Sequence, residues 1–565
     1  MSALLENEAS SSSMEKLAPV PSSLLYSIDD LKRFSGNFRN ELARACNGQE
    51  SSLSNNAHDI PSFSHVKEGE YFQAFVVGGT NYKTALMQRT GEGANLLDVS
   101  RCVIGPSATD VDIITLITAS IDPRSTVVGL NFAFPMKPVD RDGVLDGILL
   151  GATKERKFKK YIGQEIGKVI EDEIVRIHGR KIKVTVANDT ACLAIAGIEG
   201  DNANKIAAGV VGTGLNFAIS HQGKIINLES ANFDKFEQTE TGRQINRESK
   251  AKNKALFEKE VSAGYLYLHL KKILESEGED ASHITSTEDV SIIASANDGS
   301  KASEYANTLL ERSASLVAVQ IVAIYEFMEQ PQITMVMEGS LFTKSPRYRS
   351  HVERYLKELG VPENGVMFQS YQESDLLGAA KLAAIEETTM SFPETVPMEE
   401  IESRFLLSDI PEDLQSAIRC GKIEQMQQGY LSSSERIRKV IYEGGLTLYT
   451  IVDKKPVPGK PDYVKDDEPM VIGRDEFMRK WKLIKGYPIF KTRFLLDNSA
   501  VEPHKGKIVI DSFEGKFNDI NLIEVEFESL EDCDSFVPLS WFGPEVTQTV
   551  SSSKLAHNNA RVPQL

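Results

Sequence analysis

Apolar runs stopped by glycine or by small polar residues recur along the first two thirds of the chain. Phe72-Gln73-Ala74-Phe75-Val76-Val77 stops at Gly78-Gly79-Thr80-Asn81, and Thr126-Val127-Val128-Gly129-Leu130-Asn131-Phe132-Ala133-Phe134 stops at Pro135. Val184-Thr185-Val186-Ala187 stops at Asn188-Asp189-Thr190, and Ala207-Ala208-Gly209-Val210-Val211 at Gly212-Thr213-Gly214-Leu215-Asn216. A further run, 333–337, meets Glu338-Gly339-Ser340. Runs this short and this apolar predict buried strands, and Lys224-Ile225-Ile226-Asn227-Leu228-Glu229 predicts another. Helical spacing lies between them. Leu31, Phe34, Phe38 and Leu42 fall on one face, with Ser27 as cap and Asp30 three residues on. Residues 163–178 predict a long helix, 315–325 a buried one, and Leu377 opens a closing helix. Alternating strands and helices predict an α/β architecture.

The texture changes near residue 398. Strands dominate, and charges alternate along them. Glu400, Glu402 and Arg404 share one strand face, with Ile401 and Phe405 on the other. Arg436 with Arg438, Lys491 with Arg493, and Glu524 with Glu526 and Glu528 repeat the pattern. A polar outer face on an amphipathic sheet explains any single strand. A barrel with charges pointing inward, its bases on a polyanion and its glutamates on a metal, fits the set equally well. The expected organisation is a disordered segment 1–25, one α/β lobe with the N-terminal helix at 26–200, and a second lobe at 201–386. A linker at 387–397, a β domain at 398–550 and a disordered tail at 551–565 complete it.

Composition narrows the function. Of 565 residues, 63 are Lys or Arg and 81 Asp or Glu, a net charge of −18. That balance disfavours general binding to nucleic acid or to an anionic membrane. Five scattered cysteines with no C-x-x-C suggest reduced thiols and a cytoplasmic location, and the first residues show no signal-peptide pattern. Two strand-to-glycine turns, at Gly78 and Gly212, are loops whose N–H groups can approach phosphate closely. Asn-Asp-Thr after a strand offers Asp189 as a base and Asn188 as a polar contact, and it is equally good helix-capping chemistry.

Together these pieces resemble the hexokinase family of actin-like sugar kinases, across about 320 residues. Its GGTN(F/Y)(R/K) turn is matched at Gly78, Gly79, Thr80, Asn81, Tyr82 and Lys83, and its sugar segment by Phe132-Ala133-Phe134-Pro135. Thr153-Lys154, Asn188-Asp189-Thr190, Gly212-Thr213-Gly214-Leu215-Asn216 and Asn227-Leu228-Glu229 follow in order. Phe257-Glu258-Lys259-Glu260-Val261-Ser262-Ala263 and Glu338-Gly339-Ser340 complete the match. The resemblance implies a two-lobed actin-like, ribonuclease H-like fold clamping Mg-ATP. It implies Asp189 as general base and Thr153, Lys154, Asn188, Glu229 and Glu258 on a hexose. Gly78, Gly79, Thr80, Asn81, Lys83, Gly212, Thr213, Gly214, Asn216, Gly339 and Ser340 would lie around the nucleotide. One departure stands out: the family carries Asp, which helps hold the hydrated Mg²⁺, where this chain has Val76.

The C-terminal pattern resembles the CYTH family, the triphosphate tunnel metalloenzymes, over about 160 residues. Its E-x-E-x-K opening is similar to Glu400-Ile401-Glu402-Ser403-Arg404. Its Q-G-Y-L, R-x-R and K-T-R motifs are similar to 428–431, 436–438 and 491–493. Asp511-Ser512-Phe513-Glu514-Gly515, Ile523-Glu524-Val525-Glu526-Phe527 and Trp541-Phe542-Gly543-Pro544-Glu545-Val546-Thr547 match its later motifs. The resemblance implies an antiparallel β tunnel barrel (CYTH-like, α+β) that handles triphosphates with Mg²⁺ or Mn²⁺. Arg404, Arg436, Arg438, Lys454, Lys491 and Arg493 would line the phosphate path, with Glu400, Glu402, Glu524 and Glu526 on the metal. The implied partners are a hexose and a nucleotide or polyphosphate. An alternative is a weakly catalytic hexose sensor regulating a triphosphatase.

Overall fold

The computed structural model describes residues 24–60, 65–79, 81–91, 93–108, 112–151, 159–384, 399–407, 423–442, 445, 447–456, 464–466, 468–496, 507–527 and 530–560. The expected 1–25 segment falls almost wholly outside these residues, and so does the 387–397 linker. Two compact units result. The first holds Met1–Asn55, Asn204–Gln222 and Ile226–Ser370; the second holds Asn56–Ala203, Gly223–Ile225 and Tyr371–Leu565.

In the first unit, strand Ile206–Val211 pairs antiparallel with Leu215–His221 and parallel with Ile333–Glu338, which runs parallel to Val366–Gln369. Helix Lys301–Met328 is long and apolar enough to cross a membrane, yet 83% of its apolar window is buried in the protein, as a core helix requires. Helix Ile28–Cys46 starts as its sequence dictates, with the Ser27 hydroxyl accepting from Asp30 N. Its stripe of Leu31, Phe34, Phe38 and Leu42 is buried. The expectation grouped this helix with the lobe at 26–200; the structure places it in the first unit. The reason is aromatic packing: Phe38 meets Phe233 edge-on at 5.1 Å, and Phe34 meets Phe236 at 6.2 Å.

A polar network lies buried inside this unit. His269 Nε2 donates to the carbonyl of Lys259 at 2.8 Å, so its Nδ1 is left to accept from the Thr241 hydroxyl at 2.8 Å. Arg312 pairs with Glu260 at 3.3 Å beside it. Burial, then the Arg312 charge, push the His269 pKa down to about 4. Between pH 6.5 and 4 the unfolded imidazole binds a proton that the folded one refuses. Stability is therefore expected to fall by about 3 kcal/mol as pH drops through that window. Denaturant titrations across it should show a shallower pH slope for His269→Gln than for the native chain.

The second unit is built on one continuous fifteen-stranded sheet. Strands Tyr71–Val77, Ser125–Phe132 and Lys183–Ala187 run parallel, and Asn81–Thr90 and Gly93–Ile104 extend the sheet antiparallel. Helix Ser374–Ala383 packs on these strands through Leu376, Ala379 and Ala383, against Phe72, Ala74 and Val76. Gly129 allows the approach, because a Cβ there would lie 1.9 Å from the Ala379 carbonyl oxygen.

The sheet then passes into the C-terminal region without a break. Met470 and Val471 pair parallel with Val103 and Ile104 on one side and antiparallel with Ile451 and Thr450 on the other. Val103 N donates to Pro469 O at 3.0 Å and Gly105 N to Val471 O at 2.9 Å. Leu448 and Val471 share a core with Phe75, Tyr82 and Ile104, and Tyr442 packs against it. A composition break near residue 398 predicts a separable domain; shared hydrogen bonds and shared core make the two regions one unit.

Beyond this junction the order is Thr447–Asp453, Glu435–Tyr442, Ile423–Tyr430, Lys485–Leu495, Lys507–Phe513, Asn521–Phe527, Glu399–Leu406, Val464–Asp466 and Lys455–Pro456. Thr447–Asp453 at one margin is followed, after Lys454 alone, by Lys455–Pro456 at the other. The registers then sort the side chains. Glu402 opposes Glu526, Arg404 opposes Glu524, Arg493 opposes Asp511 and Gln428 opposes Arg438, all on one face. The other face is apolar, with Ile401, Phe405, Ile510 and Val525 under Trp541 and Phe542, and Ile437 under Phe477 and Trp481. The tail, expected to be disordered, includes helix Ser552–Ala556, because Leu555 and Ala556 bury against Tyr430, Ile489 and Phe513.

Candidate functional site

In the second unit the three parallel strands end together, at Val77, Phe132 and Ala187, and their carboxyl ends are where α/β sheets place ligands. Asn188 caps helix Asp189–Ala196, its Oδ1 accepting from Thr190 N at 3.1 Å. Capping and chemistry coexist here, since Asp189 Oδ1 also accepts from Thr190 N, at 2.8 Å. Burial raises the Asp189 pKa, which makes its carboxylate a stronger base. The Gly78 turn is closed by Gly78 N donating to Asn81 O at 2.9 Å. Thr80, Thr153 and Lys154 lie outside the described residues.

Lys83 departs from expectation. Its ammonium, expected to reach a phosphate, sits 2.7 Å from Asp375 and 2.9 Å from Glu373. Arg101 pairs with the same Glu373 at 2.6 Å. A partly buried ammonium needs a counter-charge, and two carboxylates at the start of helix Ser374–Ala383 supply it. Sequence reasoning opened that helix at Leu377 and so passed over both acids. Glu373-Ser374-Asp375 ahead of an apolar run was the available N-terminus signal.

In the first unit the expected sugar and nucleotide residues form a second cluster. Glu258 Oε2 accepts from Leu215 N at 3.0 Å, tying it to the Gly212–Gly214 turn. Asn216 Nδ2 donates to Asn227 Oδ1 at 2.7 Å, and Asn227 Nδ2 to Glu229 Oε1 at 3.0 Å. Glu229 holds a left-handed backbone at φ 48°. Such strain persists only where surroundings enforce it, and it gathers at ligand sites. Gly339 (φ 104°) packs on the Gly212 turn so closely that a Cβ there would lie 2.3 Å from Val211 O. Ser340 begins the helix that follows. Thr213 accepts from Gly264 N at 3.1 Å.

The charged face of the C-terminal sheet forms a third cluster. Arg493 clasps Asp511 through Nε at 2.7 Å and Nη2 at 2.8 Å, and also meets Glu524. Lys491 pairs with Asp511, and Arg404 bridges Glu402 and Glu524. Burial opposes ionisation of Glu524, yet Arg493, Lys491 and Arg404 together hold its carboxyl well below the usual range. Burial, then Arg493, push the Lys491 ammonium down to about 8. Arg438 donates to Gln428 Oε1 at 3.1 Å. Lys454 N donates to Ser434 O at 3.1 Å, and Arg436 lies opposite Tyr430.

The expected metal set is not assembled as such. Glu402 and Glu524 are engaged by arginines on their own face, Glu526 lies 4.0 Å from Arg493, and the Glu400 side chain is outside the description. Among the described residues no three His, Cys, Asp or Glu side chains stand ready to hold a metal ion. Asp511, buried at the centre of the network, is the functional candidate that charge alternation did not single out.

Residues 268–385 match the family model described as hexokinase. The chain is 22% identical over 437 residues to human hexokinase-3, a match covering 63% of this chain and 45% of that protein. It therefore spans less than half of that hexokinase's length. A hexokinase from Schistosoma mansoni, complexed with glucose, superposes with a TM-score of 0.54 at 19% identity, covering 65% of this chain and 98% of that one, which shows a hexokinase-like fold. The chain is also 27% identical over 152 residues to an inorganic triphosphatase of Nitrosomonas europaea, 27% of this chain and 91% of that protein. Hexokinase and triphosphatase likeness thus occur in one polypeptide.

Proposed function

We propose that this chain is an ATP-dependent hexose kinase acting on the 6-hydroxyl of a glucose-like sugar. Residues 399–560 would form a tunnel barrel that binds and hydrolyses triphosphates. The observation that carries the kinase reading is Asp189, a carboxylate of raised pKa at the carboxyl end of a parallel strand. Asp189 would take the proton of the sugar hydroxyl as it attacks the γ-phosphorus. Asn188, Glu229 and Glu258 suit a polyol, because amides and carboxylates accept from its hydroxyls. The N–H groups of the Gly78 and Gly212 turns would hold phosphate oxygens in place, and positioning supplies most of what phosphoryl transfer needs. Magnesium bound to ATP would neutralise developing charge on the phosphate oxygens.

In the C-terminal region, Arg404, Arg436, Arg438, Lys454, Lys491 and Arg493 offer a one-sided row of bases to a polyanion, and planar guanidinium groups suit phosphate oxygens. The acids between them balance those charges and fit a metal-bound triphosphate better than a naked one. The clasp on Lys83 favours a second reading, a hexose sensor whose phosphate lysine is otherwise occupied. Parallel assays on one preparation of the full chain decide between them. ADP formation from Mg-ATP that depends on glucose supports the kinase. Glucose that raises the melting temperature without turnover supports the sensor. Phosphate release from tripolyphosphate with Mg²⁺ or Mn²⁺ tests the tunnel.

A further inference from the structure

The second unit brings a further carboxylate to the Asp189 site. Val76 lies opposite Lys83 on one neighbouring strand and Asn131 on the other, so the three residues form a row across one sheet face. That face is covered by helix Ser374–Ala383, and Val76 shares an apolar core with its Leu376 and Ala380. The start of the helix therefore stands over the row, whose Val76 lies two residues before Gly78. Asp375 holds Lys83 with its carboxylate and receives Asn131 Nδ2 on its carbonyl at 3.3 Å. Helix Asp189–Ala196 runs beside this helix so tightly that a Cβ on Gly378 would lie 2.1 Å from Cys192 O. Asn131, which donates to the Asp375 carbonyl, also pairs in the sheet register with Ala187, two residues before Asp189.

A second observation points to a ligand. Asn131 is buried, and its Oδ1, an acceptor beside Asp375, has no hydrogen-bond donor. Buried acceptors are almost always satisfied, by protein, water or a bound group. Glu373, two residues before Asp375, is held at φ 47°, a strained backbone for a residue with a Cβ. Magnesium keeps several of its waters and is bound through one or two carboxylates plus substrate phosphates. Asp375 supplies a carboxylate, and Asn131 Oδ1 supplies an acceptor for a water on such an ion.

We infer that Asp375, carried by the helix start rather than by the strand that ends in the glycine turn, receives the hydrated divalent cation of a nucleoside triphosphate. Asn131 accepts from one of the ion's waters. Lys83 exchanges partners in the process, passing from Asp375 to a phosphate oxygen while Glu373 keeps Arg101 in place. No covalent step is added, and the apolar Val76 is left as packing. The inference rests on the kinase reading of this site.

The test uses Mn²⁺ as the probe, read by its electron paramagnetic resonance in the full chain with a non-hydrolysable ATP analogue. Asp375→Asn is expected to weaken Mn²⁺ in the ternary complex by about tenfold or more, the order of loss seen when metal sites are disturbed. Asp375→Cys is expected to turn the preference from Mn²⁺ toward Cd²⁺, a change that a merely structural role would not produce. Circular dichroism melting of each variant shows that it folds, and a variant that does not melt cooperatively is replaced by Asp375→Ser in the same titration. Native-like Mn²⁺ affinity in the folded Asn or Ser variant overturns the inference and leaves the kinase reading intact. No Mn²⁺–analogue binding by the native chain overturns both.

Discussion

Replacing Asp189 with alanine is expected to lower glucose-dependent ADP formation by about a hundredfold or more, the usual worth of a positioned general base. The geometry makes the loss specific. Asp189 sits in the first turn of its helix, and its Oδ1 accepts from the adjacent Thr190 N–H and hydroxyl, at 2.8 and 3.3 Å. The capping bond from Asn188 remains in the variant, so helix Asp189–Ala196 keeps its start. Glucose should still shift the melting temperature of Asp189→Ala, because the other proposed sugar contacts, Glu229 and Glu258, are unchanged. The expected signature is therefore a fall in kcat with sugar binding retained. Turnover in the variant equal to that of the native chain would remove Asp189 as the base.

The second large effect is expected from Asp511→Ala. Asp511 is fully buried and is the shared acceptor of Arg493 and Lys491. Its removal leaves the buried Lys491 and the largely buried Arg493 with one fewer counter-charge. Breaking a buried pair by deleting one partner costs about 3–5 kcal/mol. Chemical denaturation of the full chain should show that loss. Lys491→Met added to Asp511→Ala should recover part of it, since the double variant no longer buries the unpaired ammonium. An Asp511→Ala chain as stable as the native one would mean that water, rather than protein, balances these charges. Phosphate release from tripolyphosphate should fall in the same variant, because Arg493 loses the carboxylate that orients its fork.

Much of this was legible along the chain. The strands ending at Val77, Ala187 and Val211 appear where apolar runs meet Gly-Gly, Asn-Asp and Gly-Thr-Gly. Helix Ile28–Cys46 buries the four residues that helical spacing marks. The one-sided charges of the C-terminal strands follow from a period of two, and the registers bear that alternation out at Glu402, Arg404, Arg493 and Glu524. These are local facts, decided by side-chain period and turn chemistry between near neighbours.

What the sequence could not disclose depends on partners far along the chain. Lys83 meets Glu373 and Asp375 some 290 positions away. No period or motif encodes that distance; packing of helix Ser374–Ala383 over the sheet decides it. The junction of Met470 and Val471 with Val103 and Ile104 is of the same kind, since any exposed edge strand can accept a neighbour and only the tertiary fold selects which. The pairing of Glu402 and Glu524 with arginines likewise came from burial, because charges enclosed on one face must neutralise one another wherever the chain brings them together. The sequence by itself determined the elements and the chemical inventory of this protein. The tertiary structure decided which charges meet, because Coulomb energy and desolvation depend on distance in space and not on distance along the chain.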